Sequence, residues 1–164
     1  MGLRKILDNR DETLRKKCRD ITKFDRRLQF LLNDLADTMK KFDGVGLAAP
    51  QVGVMRRACV VNLGDEENER IVYLVNPEIT FCQGEQIGPE GCLSVPNRTG
   101  LVKRPKKITV NAQDEQGKPF ELTEEEFNAR ALCHEIDHLD GKLYTDIVIR
   151  YMTKEEAEEW EDDS

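Results

Sequence analysis

The sequence has 164 residues, a hydrophobic content of 38% and a formal net charge of −7. This length predicts one domain, and no apolar run reaches the ~18 residues that a membrane-spanning helix requires. The N-terminal residues contain no apolar segment typical of a secretory signal. The odd number of cysteines, five, favours reduced thiols over a disulfide framework. We therefore expect a protein of the cytoplasm that does not interact with membranes.

The acidic charge lies mainly at the C-terminus. Residues 153–164 contain seven acidic residues and one lysine, so they account for −6 of the net charge and the remainder is nearly neutral. We expect residues 1–152 to form the folded domain and residues 153–164 to form a solvated acidic tail. No basic stripe typical of a nucleic-acid-binding protein is visible, and RNA phosphates repel acidic groups. The sequence therefore predicts no direct nucleic-acid site.

The first predicted elements are an irregular polar arm over residues 4–25 and an amphipathic helix over residues 26–42. Gly44 follows this helix and is suited to ending it. Six apolar residues at spacings of three and four define the helix face that we expect to pack in the core: Leu28, Leu31, Leu32, Leu35, Met39 and Phe42.

Short β-branched segments predict two hairpins further along the chain. Residues 57–63 and 70–75 flank one polar loop, and residues 108–112 and 120–122 flank another. Prolines cannot donate a backbone hydrogen bond and exclude a long helix from this region. We expect them to divide it into short pieces, at positions 77, 89, 96 and 105.

A second helix, which carries both histidines, is predicted to begin at Thr123. Thr123 and Glu126 have the spacing of a capping box, and Gly141 is suited to the C-terminal end of the helix. Together the elements predict an α+β fold. In this fold, short and mostly antiparallel strands pack around a central helix that bears the HExxH sequence.

The segment HEIDH on this helix has the HExxH pattern of zinc hydrolases. His134 and His138 lie four residues apart, so their imidazoles point within about 40° of each other and can bind one metal ion. Glu135 lies about 100° around the helix from His134, where it can act on a water molecule without binding the metal. The chain has no other histidine, which makes two unrelated surface histidines the weaker interpretation.

A hydrolytic metal site needs a third protein ligand and one open position. The three-histidine pattern HExxHxxGxxH fails because its last position is Tyr144. A downstream acid could come only from Asp146 or the tail, whereas a thiolate suits a softer divalent metal. Cys92 is the favoured cysteine because it lies in GPEGCLSVP, where Gly and Pro hold an irregular backbone, whereas Cys133 points away from His134.

The segment GVGLAAPQVG, residues 44–53, is a third candidate feature. Its glycines and alanines allow another chain or a substrate to approach the backbone closely, and Gln51 offers an amide donor. The segment matches neither a phosphate-binding loop nor the dinucleotide fingerprint. A tight connection between helix and strand is an equally good interpretation of this segment taken alone.

Three segments, GVGLAAPQVG, EGCLS and HEIDHLDG, resemble the peptide deformylase family in this order and spacing, and the resemblance extends over residues 1–150. It implies an enzyme that removes the N-formyl group from the formylmethionine of newly made bacterial polypeptides and releases formate. It also implies that Cys92, His134 and His138 bind one divalent metal ion. The native ion in this family is Fe²⁺, and Zn²⁺, Ni²⁺ or Co²⁺ can replace it.

The resemblance also implies roles for residues around the metal. Glu135 transfers the proton, and the Gln51 side chain and the Leu93 backbone N–H stabilise the oxyanion. An extended substrate lies beside two backbone segments, and an apolar pocket receives its methionine side chain. We expect Phe127 to belong to the core rather than to this pocket. The expected substrate-binding residues are Val45, Gly46, Leu47, Glu90, Gly91 and Ala131.

Two positions depart from the family pattern: Cys133 stands where Gln commonly precedes the first metal histidine, and Pro50 stands where some members have Thr. We expect an ion pair of Glu90 with Arg104 behind the Cys92 segment. The expected enzyme is a monomer of the bacterial cytoplasm with a transient ribosome contact, which the acidic tail does not anchor. Two alternatives are a metalloprotease for internal peptide bonds and a non-catalytic metal module. The first does not explain EGCLS, and the second lacks a clear fourth ligand.

Overall fold

The structure, a computed structural model, describes residues 2–65 and 67–163. Two antiparallel sheets and three α-helices make up this part of the chain, which confirms the predicted α+β class. The strands are β1 (Gly46–Ala48), β2 (Ala58–Asn62), β3 (Ile71–Gln83), β4 (Gln86–Cys92), β5 (Val95–Arg104), β6 (Lys107–Gln113), β7 (Pro119–Glu125) and β8 (Val148–Tyr151). The first sheet has the strand order β1-β2-β3-β6-β7 and the second has the order β4-β5-β8.

The first helix, α1 (Arg26–Lys41), forms where the apolar spacing predicts it. The carboxylate of Asp25 caps it by accepting a hydrogen bond from the backbone N–H of Leu28 at 3.1 Å. The leucines of the predicted face and Met39 are buried against β1 and β2, but Phe42 is exposed. Phe42 leaves the core because the helix ends at Lys41, and the chain turns away to enter the loop before β1.

The central helix, α2 (Glu126–Leu139), begins later than predicted. Thr123 belongs to β7, where its hydroxyl bonds the hydroxyl of Thr109 on β6 at 2.8 Å. Pairing with β6 continues to Glu125 and therefore prevents the capping box. The C-terminal end is as predicted: Gly141 has φ of 75°, and a Cβ there would collide with the carbonyl of Arg15.

The prolines do not shorten the strands as predicted. β3 runs for 13 residues across Pro77, and its pairing with β6 shifts register between Val75 and Glu78. A bulge at this point accommodates a residue that has no N–H to donate. Both predicted hairpins, β2–β3 and β6–β7, are present.

The helix α2 lies in the main core, and residues on several of its faces are buried. The acidic C-terminal segment, which the sequence predicts as a solvated tail, forms a third helix, α3 (Lys154–Asp163). Thr153 and Glu156 form a capping box at its start, with both hydrogen bonds at 3.1 Å. In the described part of the chain, no helix is both long and apolar enough to cross a membrane.

Candidate metal centre

The ligand atoms of Cys92, His134 and His138 lie within 4.8 Å of one another. Nε2 of His138 lies 3.3 Å from Nε2 of His134 and 3.4 Å from Sγ of Cys92. The two histidines project from successive turns of α2, and Cys92 comes from the end of β4. One candidate ligand therefore comes from the second sheet, and the other two come from α2.

Two of these separations, from His138 to His134 and from His138 to Cys92, match those around one tetrahedral ion. Metal bonds of about 2.0–2.1 Å to nitrogen and about 2.3 Å to sulfur place two nitrogens about 3.3 Å apart and nitrogen about 3.5 Å from sulfur. The observed 3.3 and 3.4 Å agree with both values. A set of three candidate protein ligands would leave a fourth position open, as in catalytic rather than structural sites.

A buried charge network orients the first histidine. Glu90 has 6% relative exposure, and its Oε1 accepts a hydrogen bond from Nδ1 of His134 at 2.8 Å. This bond leaves Nε2 of His134 free to face the other ligands. Arg104 donates two hydrogen bonds to the same carboxylate, at 2.8 and 2.9 Å, so the predicted pair is present. Arg130 donates a further bond at 2.8 Å.

The charges in this network explain the ionisation of Glu90. Burial alone would raise its pKa, but the hydrogen bonds from Arg104 and His134 lower the pKa to about 2. Arg104 also donates to Asp137 of α2 at 2.6 Å. The network thus joins β4, β5 and α2 around the candidate metal ligands.

Glu135 is buried beside the ligands, with 5% relative exposure. Burial raises the pKa of its carboxyl to about 7. Its Oε1 has no hydrogen-bond partner among the described residues. Gly46 of β1 lies directly against it, since a Cβ on Gly46 would come within 2.7 Å of the Glu135 side chain.

Gln51 lies on the other side of the site and is 2% exposed. Its Oε1 accepts a hydrogen bond from the backbone N–H of Ala48 at 2.9 Å, which fixes the amide orientation. Its Nε2 donates to the hydroxyl of Ser94 at 3.0 Å and lies 3.6 Å from Sγ of Cys92. The amide nitrogen of Gln51 therefore faces Ser94 and the candidate ligand Cys92.

A cavity of about 330 Å³ opens in front of the ligands. Of the residues predicted to contact substrate, Leu47 does not line it, because its side chain is buried in the cluster around α1. Phe127 lines the cavity and is 56% exposed, so its predicted place in the core is wrong. It lies in the first turn of α2, at the mouth of the cavity. The predicted residues that do line the cavity are Val45, Gly46, Gln51, Glu90, Gly91, Cys92, Leu93, Ala131, His134 and Glu135.

Comparison with known proteins places this site in a family. The family model described as polypeptide deformylase matches residues 3–154. The chain belongs to this deformylase family. A peptide deformylase of Caldicellulosiruptor bescii is 54% identical over 97% of this chain and 93% of its own length. The activity of the present chain is accordingly that of a metal-dependent hydrolase that removes the formyl group from N-terminal formylmethionine.

Solved structures of the family share the fold. The crystal structure of a peptide deformylase from Legionella pneumophila superposes with a TM-score of 0.84, at 45% identity over 98% of this chain and 92% of its own. A peptide deformylase from Synechococcus elongatus, solved in complex with actinonin, superposes with a TM-score of 0.83. It has 33% identity, over 97% of this chain and 84% of its own.

The two departures from the common deformylase pattern are accommodated in the core. Cys133 is buried, and burial raises the pKa of its thiol to about 12, so it stays protonated and packs as a small apolar side chain. Pro50 lies in the first turn of the 3₁₀ helix Ala49–Val52, where a missing N–H costs no hydrogen bond.

Sequence reasoning missed two residues that contact this deformylase site. Ser94, which accepts from Gln51, is part of EGCLS and could have been found from that segment. Arg130 lies four residues before His134, as His138 lies four residues after it, so helical spacing could have placed all three on one face. What spacing could not give is the partner of Arg130, because Glu90 is 40 residues away in the chain.

Proposed function

We propose that this deformylase holds one divalent ion with Cys92, His134 and His138, and that Glu135 transfers the proton during hydrolysis. The observation that carries this assignment is that the separations of His138 from His134 and from Cys92 agree with tetrahedral bond lengths. When bound, a divalent ion lowers the pKa of a water molecule and polarises a carbonyl oxygen. Thiolate and imidazole ligands together suit Fe²⁺, Zn²⁺, Ni²⁺ and Co²⁺, and we propose Fe²⁺ as the native ion.

Glu135 is suited to act first as a base and then as an acid. A group whose pKa is close to the working pH exchanges a proton most effectively in both directions, and the pKa of Glu135 is raised to about 7. We propose that it takes a proton from the attacking water and later gives it to the leaving amine of methionine. Its unpartnered Oε1 is the atom available for this transfer.

Gln51 and Leu93 are proposed to stabilise the oxyanion that develops on the formyl oxygen. The Gln51 amide is held from behind by Ala48, so its Nε2 needs little reorganisation when charge develops. The Leu93 backbone N–H follows Cys92 directly and would be the second donor. Removing one such donor typically costs about 10²–10³ in kcat.

The substrate is proposed to add as a strand between the two sheets. β1 and β4 are edge strands, one of each sheet, and residues of both line the cavity. Just before β1, the Val45 carbonyl accepts a hydrogen bond from the backbone N–H of Asn62, and within β1 Leu47 lies opposite Val60. Because antiparallel pairs alternate, Gly46 presents its backbone groups to the open edge.

On β4, we propose that Glu90 and Gly91 flank the substrate backbone from the opposite side. Val45 and Ala131 are proposed walls of the methionine pocket. Backbone pairing places little demand on later side chains, so one enzyme can process many polypeptides.

The remaining proposals concern context. We propose residues 1–152 as the catalytic domain and residues 153–164 as an acidic extension, and the family match supports this boundary because it stops at residue 154. A monomeric state, a cytoplasmic location and a transient ribosome contact stay predictions.

The role of Glu135 is tested by the variant Glu135→Gln. We expect it to bind one metal ion per chain but to release formate from formyl-Met-Ala-Ser at least about 100-fold more slowly, the lower end of general acid–base effects. Glu155→Gln, an exposed change in α3, is the matched control and should keep full turnover. Full turnover by Glu135→Gln would remove Glu135 from its proposed role.

A further inference from the structure

A second cavity, of about 640 Å³, shares no lining residue with the metal pocket. Five of its nine lining residues are cationic and one, Asp20, is acidic. We name the five cations the basic hollow: Lys16, Lys17, Arg19, Lys23 and Arg56. This concentration of positive charge contrasts with the net charge of −7 of the whole chain.

The fold assembles the basic hollow from two segments that are distant in sequence. The N-terminal arm, residues 4–25, is joined to the segment before β2 by an isolated β-bridge between Arg19 and Arg56. In this bridge the backbone N–H of Arg57 donates a hydrogen bond to the carbonyl of Arg19 at 2.9 Å. Cys18 donates its N–H to the carbonyl of Leu139 at the end of α2 at 2.8 Å. The cations are therefore displayed on a backbone that the core holds in place.

The cations of the basic hollow have no ion-pair or side-chain hydrogen-bond partner in the part of the chain that the structure describes. Within residues 2–65 and 67–163, none of the five forms an ion pair or donates a side-chain hydrogen bond. Neighbouring cations differ, because Arg15 pairs with Asp146 at 2.7 Å and Arg57 pairs with Asp140 at 2.8 Å. The lysines and Arg19 are exposed, whereas Arg56 is half-buried. Unpaired cations gathered at one concavity attract an anionic partner.

Although the sequence alone predicts no direct nucleic-acid site, we propose that the basic hollow binds the phosphodiester backbone of RNA. The choice of RNA over an acidic protein rests on the proposed function, because the substrates are newly made polypeptides, which are synthesised on RNA. Arginine guanidinium groups match phosphate geometry, and lysines add point charges. The hollow has no aromatic lining residue on which bases could stack, so the contact is with the backbone and has little sequence preference.

The charge distribution makes this contact directional. The body outside residues 153–164 is almost neutral, and α3 is strongly acidic. Phosphates would therefore attract the basic hollow and repel α3. The metal pocket, which shares no lining residue with the hollow, stays accessible to a polypeptide substrate.

The test is fluorescence anisotropy of the full chain with a labelled 16-nucleotide single-stranded RNA of mixed sequence, over a series of KCl concentrations. Each phosphate contact contributes about −0.7 to the slope of log K against log salt for a single strand. With three to four contacts we expect a slope of about −2 to −3. Lys16→Gln combined with Lys23→Gln should reduce its magnitude by about 1.4.

The control combines Lys41→Gln and Lys118→Gln, which neutralises two exposed lysines outside the hollow and should leave the slope unchanged. Absence of RNA binding at low salt would overturn the proposal. An equal decrease of the salt slope in both double variants would also overturn it. If poly-L-glutamate displaced the RNA as well as unlabelled RNA of matched charge does, the partner would be an acidic protein and the proposal would be wrong. Formate release, measured in parallel, should be the same in all variants, so a failure of the proposed catalytic function is recognised separately.

Discussion

The substitution Glu90→Gln tests whether the buried charge network orients the metal site. Each carboxylate oxygen of Glu90 accepts two hydrogen bonds: Oε1 from Arg104 and His134, and Oε2 from Arg104 and Arg130. A glutamine keeps the shape but places an NH₂ group against N–H donors on one side, whichever way the amide is turned. It also leaves two buried guanidinium groups without their shared anion.

Removing one partner of a buried ion pair costs about 3–5 kcal/mol. For a chain of this length each kcal/mol lowers Tm by about 2–4 °C, so we expect a decrease of roughly 6–20 °C by thermal unfolding. The bond that fixes the ring of His134 is also weakened, and such contacts to metal ligands are typically worth 10–100-fold in metal affinity. Competition with a chromogenic chelator measures that loss.

The matched control is Glu85→Gln. The Glu85 side chain is 72% exposed and lies 3.7 Å from Lys103, so its loss should change stability by less than about 0.5 kcal/mol. A Glu90→Gln variant with the Tm and metal affinity of the parent chain would refute the proposed role of the network.

Two further predictions concern the walls of the site and the thiols. Gly46→Ala should lower kcat about 100-fold with little change in metal content. The new Cβ would lie 2.7 Å from the Glu135 side chain and push it aside, and a displacement of about 1 Å in an active site can cost about 10²-fold in rate. A kcat within threefold of the parent would contradict the close approach of Gly46 to Glu135. With metal bound, only the exposed Cys82 should react rapidly with a thiol reagent. After metal removal, Cys92 should become a second thiol that reacts rapidly. An unchanged count of rapidly reacting thiols after metal removal would argue against Cys92 as a ligand.

The elements that the sequence predicted well are those with a local cause. The leucine spacing of α1 and the two hairpins depend on residues close together in the chain, and the structure contains all three. The predicted start of α2 failed because pairing with β6, which no local pattern reveals, keeps Thr123 in a strand.

The site divides in the same way. Helical spacing brought His134 and His138 together, the Gly- and Pro-rich segment around Cys92 favoured that cysteine, and the resemblance of three segments supported it. Spacing could not show that Arg130 and Arg104 meet on Glu90, because these contacts join α2 to two strands of the second sheet. Phe127 was misplaced for a related reason. Its apolar side chain suits a core, but the first turn of α2 opens on the cavity.

The most direct test combines metal content with formate release from formyl-Met-Ala-Ser, using protein prepared anaerobically with Fe²⁺. We predict one ion per chain, formate release in proportion to the metal bound, and loss of both in Cys92→Ala. Formate release that persists after complete metal removal would contradict the account. One bound ion per chain without any formate release would contradict it equally.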